Sequence, residues 1–94
     1  MALIFTLSDF GRAFATRERA AELRNELLSR VDGSREVIVD FSGVVNVSYS
    51  FADEFLAKLH ADQTVRVHAR NLAPRVAEIA ERAIERRTGN PVAC

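Results

Sequence analysis

The 94-residue sequence predicts an α/β fold in which a small mixed sheet, an N-terminal hairpin followed by parallel strands, packs against three helices. Two observations favour this fold. Short runs of β-branched or aromatic residues alternate with amphipathic segments of helical spacing. Strand–helix–strand units also favour parallel pairing with right-handed crossovers. The length suits a single domain spanning residues 1–94, with a core at roughly 3–87 and a flexible tail at 88–94.

The N-terminal segment is typical of a β-hairpin. Leu3-Ile4-Phe5 predicts the first strand, Asp9-Phe10-Gly11 supplies turn residues, and Phe14 resumes the apolar pattern. A first helix follows, with Thr16 as its N-cap and Asp32-Gly33 at its end.

Two further strand–helix units complete the chain. The β-branched run Val37-Ile38-Val39 predicts an inner strand that is covered on both faces. The segment "SYSFADEFLAKLH" predicts the next helix, with Ser50 and Asp53 forming a capping box. The alternating "TVRVHAR" predicts a strand near an edge with one solvent-exposed face, and Pro74 opens the last helix. The buried stripe of the middle helix is predicted to be Phe51, Phe55, Leu56 and Leu59.

One end of this sheet is the expected functional surface. Helices that follow parallel strands start at the carboxyl end of the sheet, where open α/β folds place their sites. Thr16, the turn at residues 48–50 and Asn71 should therefore meet at one rim. We predict that a protein partner contacts this rim through Ser48, Tyr49, Ser50, Asp53, Glu54 and Asn71.

Composition excludes several classes of function. Thirteen Lys and Arg residues balance 13 Asp and Glu residues, and this zero net charge argues against nucleic-acid or membrane-surface binding while permitting a homo-oligomer. His60, His68 and the single cysteine, Cys94, show no zinc-site spacing, so no metal site is expected. The N-terminal apolar run is too short for a signal peptide or a membrane span, which favours the cytoplasm.

The sequence also lacks the pattern of an enzyme. Asp53 and Glu54 are adjacent, so on a helix they point about 100° apart and do not converge as a general acid–base pair must. Neither a Gly-rich phosphate loop nor a Gly-x-Ser-x-Gly motif is present. We therefore expect no catalytic activity and no cofactor.

Three segments resemble the STAS domains of bacterial anti-sigma-factor antagonists: "VIVDFSGVVNVSYSFADEFLAKL", "AFATRERAAELRNELL" and "ARNLAPRVAEI". The chain is more similar still to a STAS-like family of unassigned role. That family carries an Arg after the second strand, Asp-Phe in the central strand and Ser-Phe-Ala-Asp-Glu at the following helix start. Here these are Arg17, Asp40-Phe41 and the "SFADE" that begins at Ser50.

The resemblance implies a non-catalytic signalling module that binds a histidine-kinase-type ATPase and is regulated by phosphorylation of a turn serine. Ser48 aligns with the Asp of the family's turn, and Tyr49 and Ser50 align with its two serines. Because Asp53 and Glu54 would repel a phosphate, Ser50 is expected to be a poor phosphorylation site, and Ser48 is a weak candidate. Two alternatives stay open: a small-ligand or nucleotide-binding domain or enzyme accessory that uses the same rim, and a self-associating structural subunit.

Overall fold

Two parallel sheets form the strand framework of the computed structural model, which describes residues 2–31, 33, 36–62 and 65–89. The larger sheet has the order β1-β3-β5, with both outer strands parallel to the central one. The smaller sheet pairs β2 with β4, also in parallel. The strands are β1 (Leu3–Thr6), β2 (Ala13–Phe14), β3 (Glu36–Asp40), β4 (Asn46–Val47) and β5 (Arg66–Arg70).

Two helices connect these strands, and a third follows the last strand. Helix α1 spans Arg17–Arg30 and helix α3 spans Pro74–Thr88. Helix α2 covers residues 49–61, with an α-helical turn at Tyr49–Ala52, a π-helical segment at Asp53–Ala57 and a final α-helical turn at Lys58–Ala61. The predicted α/β class with three helices is therefore confirmed.

The predicted N-terminal hairpin is wrong. Strand β1 pairs with β3, and β2 pairs with β4, so the first two strands belong to different sheets. A short 3₁₀ turn, Leu7–Asp9, directly follows β1, and the side chain of Leu7 is fully buried. Because Leu7 is buried, the chain enters the core after β1 and does not fold back to pair with it. Strand β1 pairs with β3 instead.

The larger sheet is covered on one face. Phe5, Val37 and Val39 lie in the hydrophobic core with residues of all three helices. On the other face, Ile4 is 50% exposed, Ile38 is half-buried and His68 is exposed. The prediction that β3 is covered on both faces is thus wrong, whereas the exposed face predicted for β5 is confirmed. Parallel sheets are usually covered on both sides, so this open face is unusual.

A chain of stacked rings links the two sheets through α2. Phe14 of β2 packs on Phe51 with 4.9 Å between ring centroids, and Phe51 packs on Phe55 at 5.5 Å. Phe55 in turn contacts Phe5 of β1 at 6.2 Å. These aromatic contacts hold the start of α2 against the smaller sheet. The predicted buried stripe of this helix is confirmed, since all four of its residues are buried.

Helix α3 ends one residue beyond the predicted core. Its C-cap is Gly89, whose φ of 73° is left-handed and whose N–H donates to the carbonyl of Glu85. Most of the tail that we predicted to be flexible, residues 90–94, lies outside the described residues, as does Asp32 at the predicted end of α1. None of the described helices is both long and apolar enough to cross a bilayer.

Candidate functional site

Helix α2 begins one residue after Ser48, which is its N-cap. The Ser48 Oγ accepts a hydrogen bond from the N–H of Phe51 at 3.0 Å and donates one to the carbonyl of Ala15 at 2.7 Å. The N–H of Ser48 donates to the carbonyl of Phe14, which ties this residue to the smaller sheet. The predicted capping box of Ser50 and Asp53 is therefore wrong, because the side chain that caps the helix is that of Ser48, two residues before Ser50. By contrast, Thr16 caps α1 as predicted, accepting from the N–H of Arg19.

Asp53 is a buried anchor for two arginines instead of a capping residue. It is 8% exposed and lies between α1 and α3. Arg17 Nη1 donates to its Oδ2 at 2.8 Å. Arg87 binds it in a bidentate manner, with Nε to Oδ1 and Nη2 to Oδ2, both at 2.8 Å. This carboxylate therefore bridges the first turn of α1 and the last turn of α3.

Glu54 holds a second pair of cations. Its Oε2 accepts from Arg24 Nη1 at 2.7 Å and from Lys58 Nζ at 2.8 Å, and Arg24 also donates to the Glu54 main-chain carbonyl. Arg17 Nη1 lies 3.5 Å from its Oε1. The two carboxylates thus have different main partners, Arg17 and Arg87 for Asp53 and Arg24 and Lys58 for Glu54, while Arg17 lies near both.

The cations keep both carboxylates ionised. Hydrogen bonds from Arg87, supported by Arg17, lower the pKa of Asp53 far below its ordinary value although burial opposes this change. Hydrogen bonds from Lys58 and then Arg24 lower the pKa of Glu54 to about 2. A general acid or base works best with a pKa near the working pH, so neither group is suited to proton transfer at neutral pH.

Asn71 lies just after the end of β5 in the larger sheet, not at the start of α2. Its Nδ2 donates to Oδ1 of Asp40 at 3.0 Å, and its own φ of 61° is left-handed. The Ser42 N–H also donates to that oxygen, and this bond, followed by the one from Asn71, lowers the pKa of Asp40 to about 2. Among the described residues, no hydrogen bond or ion pair connects Asn71 to the start of α2. The helix cap that follows is Ala73, with Pro74 in the first turn as predicted.

The predicted rim is therefore only partly assembled. Thr16 and Ser48 are brought together by the β2–β4 pairing, while Asn71 lies at the end of the larger sheet. Asp53 and Glu54 are occupied by cations of this chain. Tyr49, at 38% exposure, remains accessible, and it lines an open pocket of about 520 Å³ together with Arg17, Asp53, Arg86 and Arg87.

The surroundings of Ser48 and Ser50 differ from those expected from the sequence. We expected Asp53 and Glu54 to repel a phosphate on Ser50, but four cations compensate these carboxylates. Capping occupies the hydroxyl of Ser48, and no hydrogen bond to the Ser50 hydroxyl is made within the described residues. The reasons that ranked Ser48 above Ser50 for phosphorylation thus no longer apply, and the ranking itself stays an untested prediction.

Two arginines in this network were not singled out from the sequence. Arg24 is seven residues after Arg17, so both lie on the same face of α1, and that spacing was available as a signal. Arg87 lies in the last turn of α3, where a positive charge is favourable whatever its partner. Its contact with Asp53 joins residues 34 positions apart, and no local pattern indicates such a pairing. As for metals, no group of three His, Cys, Asp or Glu side chains converges in the described part of the chain.

The comparisons with known proteins give the family. Residues 19–76, well over half of the chain, match the family described as a STAS-like domain of unknown function (DUF4325). The chain belongs to this family. The matched region contains Asp53, Glu54, Arg24 and Lys58, whereas Arg17 and Arg87 lie outside it. A search of curated proteins and a search of solved structures found no match.

Proposed function

We propose that this STAS-like domain is a cytoplasmic, non-catalytic regulatory module that binds a protein partner through the start of α2. The contact surface is centred on Tyr49, with Ser48, Ser50 and the outward-facing groups of Arg17 and Arg87 around it. By resemblance to anti-sigma-factor antagonists, the partner we propose is a bacterial histidine-kinase-type ATPase. Asn71 is left at the margin of this surface, because it is bonded to Asp40 instead.

The observation that carries the proposal is the exposure of Tyr49 among arginines. A tyrosine that is 38% exposed stands at the first position of α2, and Val45, in the loop that leads into β4, is 59% exposed. Tyr and Arg are enriched among the residues that dominate binding energy at protein interfaces. The carboxylates beside Tyr49 hold Arg17 and Arg87 in place, which lowers the conformational entropy that binding would otherwise cost.

The absence of a catalytic role is supported by the chemistry of the two acids. Asp53 and Glu54 are held ionised by their cations, so they are poor general acids at neutral pH. They are also weak bases, since their pKa values lie far below neutral. Their structural role as bridges between helices accounts for their position without a reaction.

The test is affinity capture from native extract of the source cell with the purified chain as bait, followed by measurement of the partner's dissociation constant by calorimetry. The variant is Tyr49→Ala, and we expect its affinity to fall by at least about tenfold, as for a central interface residue. The matched control is Ile4→Ala, which also removes an exposed large side chain but from the open face of the sheet.

The two variants separate the possible surfaces. Loss of binding in Tyr49→Ala with wild-type affinity in Ile4→Ala supports the proposal. Wild-type affinity in Tyr49→Ala together with loss in Ile4→Ala would show that the partner uses the open face of the sheet, and the proposal would be wrong.

A further inference from the structure

We infer that the pocket formed by Arg17, Tyr49, Arg86 and Arg87 binds a doubly charged phosphate group. This deepens the proposed function, on which it rests for the choice of surface, by naming the chemistry that the surface receives. The pocket has a volume of about 520 Å³, and Asp53 is the one acidic side chain among the described residues that line it. A volume of this size falls within the range of small-molecule sites, about 300–1,000 Å³.

Asp53 positions the arginines but leaves much of their hydrogen-bonding capacity unused. Arg17 contacts the carboxylates through Nη1 only, so its Nε and Nη2 make no hydrogen bond within the described residues. Arg87 binds Asp53 through Nε and Nη2, and its Nη1 makes no hydrogen bond within the described residues. Both side chains remain partly open to solvent, at 47% and 34% exposure. Planar guanidinium groups held in this way suit the bidentate recognition of phosphate oxygens.

Arg86 supplies a third positive charge to this pocket. Among the described residues it forms no ion pair, although it lines the same pocket. Three guanidinium groups and one carboxylate therefore line the described part of the pocket, and Glu54 next to Asp53 is already matched by Arg24 and Lys58. The described lining of the pocket thus carries an excess of positive charge in a chain whose net charge is zero. Such a local excess attracts a multiply charged anion.

Two sources of phosphate fit this pocket. A free phosphorylated small molecule could place a ring against Tyr49, while a phosphorylated side chain of a partner would need only the arginines. The shared chemistry is the phosphate dianion, and separate probes distinguish the sources.

The experiment is a titration of the isotope-labelled full-length chain, followed by two-dimensional NMR, at a pH where the phosphate is doubly charged. The probes are inorganic phosphate, AMP and O-phosphoserine, each compared with sodium chloride at equal ionic strength. We expect saturable shifts of the Arg17, Tyr49, Arg86 and Arg87 signals. AMP binding more tightly than phosphate, with the gain lost in Tyr49→Ala, indicates a free small molecule. O-phosphoserine binding at least as tightly as AMP indicates a protein side chain.

The variant is Arg86→Gln, which removes one charge at an exposed position and should weaken phosphate binding by about tenfold. Arg75→Gln is its matched control, since Arg75 is exposed on the same helix, about 16 Å away along the axis. Equal loss of binding in both variants, or shifts that sodium chloride reproduces, would overturn the inference. No partner is used in this titration. If the titration shows no binding, the proposed docking at Tyr49 is still tested by calorimetry. If the calorimetric test fails, the result of the phosphate titration is unaffected.

Discussion

Asp53 is the residue on which the contacts between the helices converge. It is almost fully buried and accepts three hydrogen bonds from Arg17 and Arg87. Burying a carboxylate is costly unless charged donors compensate it, and here they arrive from two different helices. The same bonds orient the arginines at the pocket, so one side chain serves both packing and the surface that we propose for binding.

Replacing Asp53 should therefore destabilise the fold. Asp53→Asn removes the negative charge and leaves two guanidinium groups facing each other. We expect the free energy of unfolding to fall by about 2 kcal/mol, less than the cost of breaking a fully buried pair because water reaches the arginines. Urea denaturation measures the change. The matched control is Asp9→Asn at an exposed position, for which we expect little effect. A stability of Asp53→Asn equal to that of the control would contradict the bridging role.

Among the elements, the start of α2 shows where local patterns stop being sufficient. The sequence motif offers two serines two residues apart, and either is a good N-cap. Pairing of β2 with β4 selects Ser48, since it places this residue against the carbonyls of Phe14 and Ala15. Thr16 was predicted correctly because its alternatives are fewer and its cap depends only on the next three residues.

Two alanine substitutions test this assignment of the cap. Ser48→Ala loses the bond to the Phe51 N–H and the bond to the Ala15 carbonyl, and should destabilise the chain by about 1–2 kcal/mol. Ser50→Ala should change stability by less than about 0.5 kcal/mol. Both values come from chemical denaturation under identical conditions. A larger loss in Ser50→Ala than in Ser48→Ala would restore the cap that the sequence motif first suggested.

The π-helical segment at Asp53–Ala57 was not predicted either. A π-helical turn has no distinct residue preference in the sequence, and such turns occur often at functional sites. In this chain it coincides with the two acids that bind the cations. The apolar positions of α2 could be predicted, because burial of Phe51, Phe55 and Leu59 follows the helical period.

Acid should weaken the whole molecule, because Asp40, Asp53 and Glu54 all have lowered pKa values in the folded chain. A lowered pKa means that the unfolded chain binds protons more readily. The stability that these groups contribute is complete above their ordinary pKa values, 3.8 for Asp and 4.5 for Glu. It is then lost as the pH falls through about 2 for Asp40 and Glu54, and at still lower pH for Asp53, whose pKa is lowered furthest. We expect the urea midpoint to decrease steadily from pH 5 to pH 2.5.

The variant Glu54→Gln isolates one part of this dependence. It has no carboxylate to protonate, so its stability should fall less over the same pH interval than that of the wild type. Glu22→Gln is the control, since the side chain of Glu22 is 68% exposed. We expect the control to follow the wild-type curve. Identical pH dependence in all three proteins would mean that the cations around Glu54 contribute nothing to folding.

For the whole molecule, the features that could be predicted from the sequence are those set by residues close together along the chain. The β-branched run at Val37–Val39, the alternation in β5 and the amphipathic helices reflect neighbours a few residues apart, and they gave the α/β class. By contrast, the pairing of β1 with β3, the pairing of β2 with β4 and the bond between Arg87 and Asp53 all join residues more than 30 positions apart. The local periodicity of the sequence does not encode those pairings. The predictions of an N-terminal hairpin and of a single rim therefore failed.

Site-specific photocrosslinking tests most directly whether a partner docks at the start of α2. Tyr49 is replaced by p-benzoylphenylalanine, which keeps an aromatic ring at that position, and Ile4 is replaced in the same way as the control. After irradiation in native extract, we expect a covalent adduct with one partner protein from position 49 and none from position 4. An adduct from position 4 but not from position 49 would contradict this expectation.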